Sequence, residues 1–486
     1  MDRLPDPGAF GATFARFMEA MTDAALYAEG PLAERLREHL GTDPRALPAT
    51  AADFSAAEHA NLQLGLEAVV GDAEIVGYAT RHAAFANVGL ASLMSGEAMT
   101  GPVRPGPVQY TEIDVGDGRV VRCVAGGLYL ARRDGVPLAL VLSRVERPFG
   151  DGGLRLEGAS PQPAAVSALL RDLRAAMRRR NVFRGKVISL HQDPDQTVTV
   201  QFHTVPHVAR DTVILPDGAL ERLERQALGV TAQADRLRAA GRHLKRGVLL
   251  HGPPGTGKTL SVSYIIGAMP GRTTVLLTGR GLGLIEQAIG IARQLAPATV
   301  VFEDIDLVAA ERTMAGHHGV LFDLLNQIEG LEADEDLLFL LTTNRPDIVE
   351  PALAARPGRI DLALEVPLPD EHARRRLVRL YAAGVDLDPR SEADIVQRTE
   401  GVTGAFVKEL MRQATLLAAL DGRPVAEAPD VLPTLDELLQ ERSALTRRLL
   451  GQPGDSGALD VPTAPPFDEM LRAFGAAGLP IPPGIE

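Results

Sequence analysis

The hydrophobic positions change period several times along this 486-residue chain. Up to about residue 100 the chain is alanine-rich, and Phe10, Phe14, Phe17, Met18 and Met21 recur at spacings of three and four. Such spacing marks one face of a helix, so Phe10–Leu26 and Ala57–Val70 are predicted as helices with these residues in a core. Residues 1–100 therefore read as an N-terminal helical region, and Gly101 to Pro107 as a linker. From about 107 to 205 the period shortens to two. Val121 and Cys123, then Leu128 and Leu130, alternate with polar or small residues, as half-buried strands do. Asp134-Gly135 joins two such runs and is a two-residue hairpin signal. A helix over Pro163–Arg180 presents Val166, Leu169, Leu170, Leu173 and Met177 on one face, and strands Lys186–Leu190 and Thr197–Val205 follow. Residues 107–205 are thus predicted as a small α+β domain, suited to partner recognition.

Beyond 206 strands and helices alternate, as in a parallel α/β sheet. The predicted strands are Val248–Leu250, Thr274–Thr278, Thr299–Phe302 and Leu337–Thr342. Helices dominate after about 371. Phe406, Leu410, Ala414 and Leu417 share a face in Thr403–Leu420, which Gly422 ends. Residues 206–370 form the α/β part, 371–448 a helical subdomain, and 449–486 a Pro/Gly-rich tail. That tail has one short amphipathic stretch, Phe467, Met470, Leu471 and Phe474.

The chemistry concentrates at Gly247–Thr259, GVLLHGPPGTGKT. An apolar strand runs into Gly252-Pro253-Pro254-Gly255-Thr256-Gly257, and Lys258-Thr259 open a helix containing Leu260, Val262, Ile265 and Ile266. Strand, glycine loop and helix form a phosphate-binding loop. Glycines let backbone N–H groups converge on phosphate oxygens, and the helix N-terminus adds partial positive charge. Lys258 then reaches the β- and γ-phosphates, and the Thr259 hydroxyl suits Mg²⁺. Nucleoside triphosphate binding is the expectation. Downstream, the strand Ala298–Phe302 ends in Glu303-Asp304-Ile305-Asp306, carboxylates placed for Mg²⁺ and water. Another strand ends in Thr342-Thr343-Asn344-Arg345-Pro346, and Ala355-Arg356-Pro357-Gly358-Arg359-Ile360-Asp361 follows.

Composition narrows the remaining classes. A net charge of −13 argues against a dedicated nucleic-acid binder. The single cysteine, Cys123, cannot form an internal disulfide and suits a reducing compartment. No basic region followed by an apolar core opens the chain, and no apolar run approaches the ~20 residues that span a bilayer. A cytoplasmic protein without membrane contact is expected.

In this order and spacing, GPPGTGKT, an acidic strand end, TTNRPD and ARPGRID resemble an AAA ATPase over about residues 206–445. The resemblance implies an α/β fold, a P-loop parallel-sheet core with a C-terminal helical lid, preceded here by the helical region and the small α+β domain. It implies ATP and Mg²⁺ as ligands and hydrolysis of ATP to ADP and phosphate. It implies that Asn344 orients the attacking water, and that Arg356 and Arg359 are arginine fingers acting on a neighbour's ATP in a ring, a homo-oligomer of six. Gly404-Ala405 fall on lid residues near the adenine and ribose, and Asp217-Gly218 where an adenine-contacting linker begins. By position Glu303 faces Mg²⁺ together with Thr259, and Asp304 polarises water.

Two features depart from the family pattern. The acids run Glu-Asp instead of Asp-Glu, as in a subset that includes the mitochondrial respiratory-complex assembly AAA proteins, which leaves the division of roles between Glu303 and Asp304 open. Threading members carry an aromatic-apolar-glycine tripeptide where this chain has only Gly279-Arg280-Gly281-Leu282-Gly283. Three functions compete: a ring that remodels or assembles protein clients, an ATP-gated oligomeric scaffold, and a nucleic-acid motor, which the net charge disfavours. Two clusters stay ambiguous. Arg178-Arg179-Arg180 with Arg184 and Lys186 reads as a solvated helix end or as a dock for an acidic partner. His317-His318 reads as solvated loop or as part of a metal site needing outside ligands.

Overall fold

The computed structural model of the chain describes residues 13–18, 30–79, 88–98, 101–145, 153–192, 198–278, 284–306, 335–347 and 360–449. Two compact units divide it: Met1–Leu380 with Thr399–Val407, and Tyr381–Arg398 with Lys408–Glu486.

Within the first unit, an antiparallel sheet comes first in the chain. Its strands are β1 (Thr50–Ser55), β2 (Glu74–Ala79), β3 (Arg104–Gly106), β4 (Gln109–Asp114), β5 (Val120–Arg133), β6 (Val136–Val145) and β7 (Gly153–Ala159). They lie in the order β1-β7-β6-β5-β2-β3, with β4 also paired to β5. The Asp134-Gly135 turn joins β5 to β6 with φ of 51° and 80°, the left-handed pair that a two-residue hairpin requires. Helices cover both faces. Tyr129, Ala131, Leu138, Leu140 and Leu142 face a core with α2 (His59–Val70) and α4 (Pro163–Arg179). Leu128, Leu130, Ala139 and Val141 face α1 (Ala33–Leu40) and α3 (Leu90–Ser95). The centre of β5 is consequently buried on both sides, where alternation predicts one wet face.

The partition expected for the first 205 residues differs from the observed one. The first hundred residues do not form a separate helical region, because β1 pairs with β7 (Thr50 opposite Gly158) and β2 with β5. Nor is the Gly101–Pro107 stretch a free linker: β3 pairs with β2, Gly77 opposite Gly106, and its proline sits on an edge strand that tolerates a missing N–H. Of Phe10–Leu26 only residues 13–18 are described. They are helical, but Phe14 and Phe17 are 52% and 56% exposed and so do not fill a core.

The second sheet of this unit carries the phosphate-binding loop. Its strands are β8 (Val187–Gln192), β9 (Val198–His203), β10 (Arg246–His251), β11 (Thr273–Thr278), β12 (Ala298–Glu303), β13 (Leu337–Thr343) and β14 (Leu362–Glu365). Among the described residues the order is β9-β8-β11-β12-β13-β10-β14, parallel except for β9. β8 and β9, predicted to close the preceding domain, therefore belong to the nucleotide sheet, with Val187 opposite Thr274. Burial explains the choice: Ile188, Leu190 and Val198 enter the same core as Val275, Leu277 and Phe302. The fold is α/β, a parallel-sheet core with helices on both faces.

In the second unit Val385–Asp386 pairs with Ala426–Glu427, and α6 (Pro389–Arg398) and α8 (Ala428–Leu449) supply Ile395, Val396, Val431 and Leu435 to its interior. Helix α7 (Gly404–Leu420) buries Val407, Leu410, Met411, Ala414 and Ala418. Leu417, expected on that face, is 43% exposed, since burial follows a stripe one residue over. No helix among the described residues is long and apolar enough to cross a membrane.

Candidate nucleotide site

The site lies at the C-terminal edge of the parallel strands. β10 ends at His251, and the chain turns sharply at Gly252, φ 145°. A Cβ at that position would lie 2.1 Å from the Val366 carbonyl oxygen, so no other residue fits the approach. Thr256 closes the turn, its hydroxyl donating to the Pro253 carbonyl at 2.9 Å. Helix α5 (Lys258–Gly267) then begins with Gly257 as its cap, and the N–H groups of a helix's first turn have no partner within the helix.

Lys258 is buried, and its Nζ donates to the carbonyls of Gly252 and Pro253 and to Asn344 Oδ1, each at 2.8 Å. Burial lowers its pKa, while the nearby Asp304 and Asp306 carboxylates work the other way. The Asn344 amide is shared: its Nδ2 donates to Asp304 Oδ1 at 3.0 Å. That orientation is forced, because an ammonium only donates and a carboxylate only accepts. Asp304 itself has φ 50°, a left-handed conformation that aspartate tolerates better than most residues, and its N–H donates to Thr342 Oγ1 at 3.0 Å. Glu303 accepts from the Thr259 hydroxyl; burial raises its pKa, and the neighbouring Asp304 charge adds to that.

Gly404 and Ala405 meet the loop directly. The Ala405 N–H donates to the Gly255 carbonyl at 3.1 Å, and the Thr403 hydroxyl and Ala405 methyl close on Gly255. Gly218 is left-handed and caps the helix Ala219–Glu224, whose Ala219, Leu220 and Leu223 pack in a core with Val248 and Leu250.

The structure thus brings together Gly252 to Thr259, Glu303, Asp304, Asn344, Gly404 and Ala405. Arg356 and Arg359, the Gly279–Gly283 segment, His317-His318 and the tail lie outside the described residues. In the basic cluster, Lys186 pairs with Asp117 and Arg184 donates to the Arg178 carbonyl. Three residues that the sequence places beside the site without a role of their own join it. Asp306 Oδ1 accepts from Thr343 Oγ1 at 2.9 Å and from the Asn344 N–H at 3.0 Å, and Thr342 holds Asp304. Their only sequence signal is a third acid after the pair and two threonines before the asparagine.

The loop fits a polyphosphate: N–H groups at a helix start, a buried ammonium and glycines that admit close approach. Thr259 and Glu303, hydrogen-bonded to each other, are hard oxygen donors of the kind Mg²⁺ takes. No group of three or more His, Cys, Asp or Glu arranged to hold a metal occurs among the described residues. An Mg²⁺ held here would share its ligands with the phosphates.

Comparison with known proteins agrees with this geometry. Residues 248–368 match the model of the ATPase family associated with various cellular activities (AAA). The chain is 34% identical over 232 residues to the ATP-dependent zinc metalloprotease FtsH 2 of Symbiobacterium thermophilum, an overlap of 44% of this chain and 39% of that protein. It is 32% identical over 209 residues to the proteasome-activating nucleotidase of Methanothermobacter thermautotrophicus, covering 40% of this chain and 51% of the relative. The corresponding nucleotidase of Sulfurisphaera tokodaii is 33% identical over 208 residues, covering 40% and 53%. The chain therefore spans about half or less of the length of these relatives. With strand, loop, helix and acid-tipped strand all in register, residues 248–368 are a domain of the AAA ATPase family.

Proposed function

We propose that this chain is a ring-forming ATPase that couples hydrolysis of ATP to the remodelling or assembly of protein partners. The observation that carries the reading is the unbroken contact series Lys258–Asn344–Asp304 beside the phosphate-binding loop. Lys258 stabilises charge on the transferred phosphate, Asp304 takes a hydrogen bond from the attacking water, and Asn344 keeps the two in register. Mg²⁺, when bound, neutralises phosphate oxygens, with Thr259 and Glu303 as its protein ligands. Glu303 takes this role because it contacts Thr259, and Asp304 takes the other because it contacts Asn344. Gly404 and Ala405 border the nucleotide, and Arg356 and Arg359 act on the ATP of the adjacent subunit in a hexamer. The antiparallel sheet domain recognises a protein client. The relatives carry protease and proteasome-activating names, which supports protein over nucleic acid as the partner. A cytoplasmic location goes with this reading.

An ATP-gated scaffold is the second reading, favoured by one feature: Gly279-Arg280-Gly281-Leu282-Gly283 holds no aromatic residue with which to grip a polypeptide. The test is steady-state ATP turnover measured with assembly state by electron microscopy, using a Glu303→Gln, Asp304→Asn double variant to trap the ATP form. Rings whose turnover rises with a protein client support remodelling; ATP-dependent rings with slow, unresponsive turnover support the scaffold. No ATP turnover in the unaltered chain overturns both. Turnover stimulated by DNA and suppressed by salt would assign a nucleic-acid motor instead.

A further inference from the structure

The parallel ladder between β12 and β13 ends at Phe302 opposite Leu341. Past that point side chains continue the join. The Asp304 N–H donates to Thr342 Oγ1, the Thr343 hydroxyl donates to Asp306 Oδ1, and the Asn344 N–H donates to the same Asp306 oxygen. Thr343 Oγ1 in turn accepts the Arg345 N–H at 3.0 Å. Asp306 is only 7% exposed, and a carboxylate so buried is retained only where several partners compensate its desolvation. It has them: two hydrogen bonds on one oxygen, and the nearby positive charges of Lys258 and Arg345.

Asn344 must direct one end of its amide at Lys258 and the other at Asp304. Two side-chain torsions meet both demands only if the backbone that carries them is fixed. The one side chain that holds the Asn344 N–H is Asp306. We propose that Asp306 is a positioning residue for the reaction: it fixes the Asn344 backbone and, through it, the separation between Lys258 and the water-polarising Asp304. The proposal rests on the hydrolytic reading of the site. Asp306 touches neither phosphate nor water in this scheme and acts through Asn344.

The test is a double-mutant cycle read as kcat and KM for ATP, with thermal melting of each variant as the folding control. Asp306→Ala is expected to lower kcat by about 10²-fold, the scale of a misplaced catalytic group, with KM changed less than about threefold. Asp306→Asn keeps an acceptor oxygen for both donors and is expected to recover most of that loss. In the Asn344→Ala background, Asp306→Ala should have little further effect, because groups acting as a unit are not additive. Should Asp306→Ala fail to fold, Thr343→Val removes one of the two donors and carries the same test with a smaller fall in kcat. Multiplicative effects in the cycle, or an Asp306→Ala enzyme with unaltered kcat, overturn the positioning role alone. An Asn344→Ala enzyme with unaltered kcat overturns the catalytic reading of the site and this inference with it.

Discussion

Nζ of Lys258 lies 2.8 Å from Oδ1 of Asn344, so the phosphate-binding loop after β10 and the tip of β13, three strands further along the sequence, meet through one hydrogen bond. Lys258 is the buried cation of the loop. Replacing it with alanine should abolish ATP turnover and weaken nucleotide binding while the melting temperature stays close to that of the unaltered chain. Turnover at the original rate in Lys258→Ala would remove the nucleotide assignment.

The two acids should separate by role. Asp304→Asn is expected to retain ATP and lose at least about 10²-fold in turnover, the scale of a lost acid–base group. Glu303→Gln should instead shift the Mg²⁺ dependence of turnover to higher concentration. A metal titration of both variants distinguishes the assignments, and the opposite pattern would exchange the roles.

Arg356 and Arg359 are tested by mixing. An arginine finger is worth ~10³–10⁵ in turnover in related phosphoryl-transfer enzymes. If one acts across a boundary, inactive Lys258→Ala chains mixed with inactive Arg356→Ala chains should regain activity, since some interfaces pair an intact loop with an intact finger. Activity per chain should also climb with protein concentration. An active, concentration-independent Arg356→Ala monomer would remove the ring.

A buried charge cluster at the other edge of the nucleotide sheet should dominate stability. Asp336 Oδ1 accepts from Arg246 at 3.0 Å and from Arg272 at 2.9 Å, with both guanidiniums buried. Burial disfavours the Asp336 carboxylate, yet the two arginines outweigh it and hold the pKa below the ordinary value. Removing it leaves two buried cations under-compensated, so Asp336→Ala should lose roughly 3–5 kcal/mol in urea unfolding. A loss below 1 kcal/mol would mean the sheet edge relaxes around them.

His59 gives the N-terminal sheet a pH response. Its Nε2 meets the Val124 carbonyl at 2.9 Å, while Gln63 Oε1 accepts the Val124 N–H, so α2 clamps both sides of one peptide residue in β5. Burial lowers the His59 pKa, and the Arg144 charge lowers it further. Below about pH 6.5 the unfolded chain takes up a proton that the folded one declines. Stability should be full above that pH and fall as the pH drops beneath it. Denaturant midpoints from pH 8 to 5 should show the fall, and His59→Gln should flatten it.

What could be read in the sequence was whatever a short window encodes. The loop with its helix and the acid-tipped strand are each short unbroken stretches of sequence, and the structure brings Lys258, Asp304 and Asn344 into contact. The registers of the N-terminal sheet are another matter. Thr50 pairs with Gly158 across more than a hundred residues, and the alanines in Thr50–Ser55 mute the β-branched signature of a strand. β8 and β9 look like any hairpin ribbon; only packing of Ile188 and Leu190 against Val275 decides which sheet takes them. Asp306 stands in the acidic strand end without a role readable from the sequence, because a third acid beside two others carries no pattern of its own.

The pairing of β8 with β11 has a mechanical meaning. The Thr274 N–H donates to the Lys186 carbonyl at 2.9 Å, and from there the two strands run side by side. The N-terminal domain thus joins the second sheet without slack: its last covalent link is itself a rung of that sheet. In sequence β11 leads straight to Gly279–Gly283, so a pull on the N-terminal domain loads that strand in shear instead of being absorbed by a tether. Severing the chain at residue 205 would leave β11 as a raw border, whereas a cut just ahead of Lys186 would spare it.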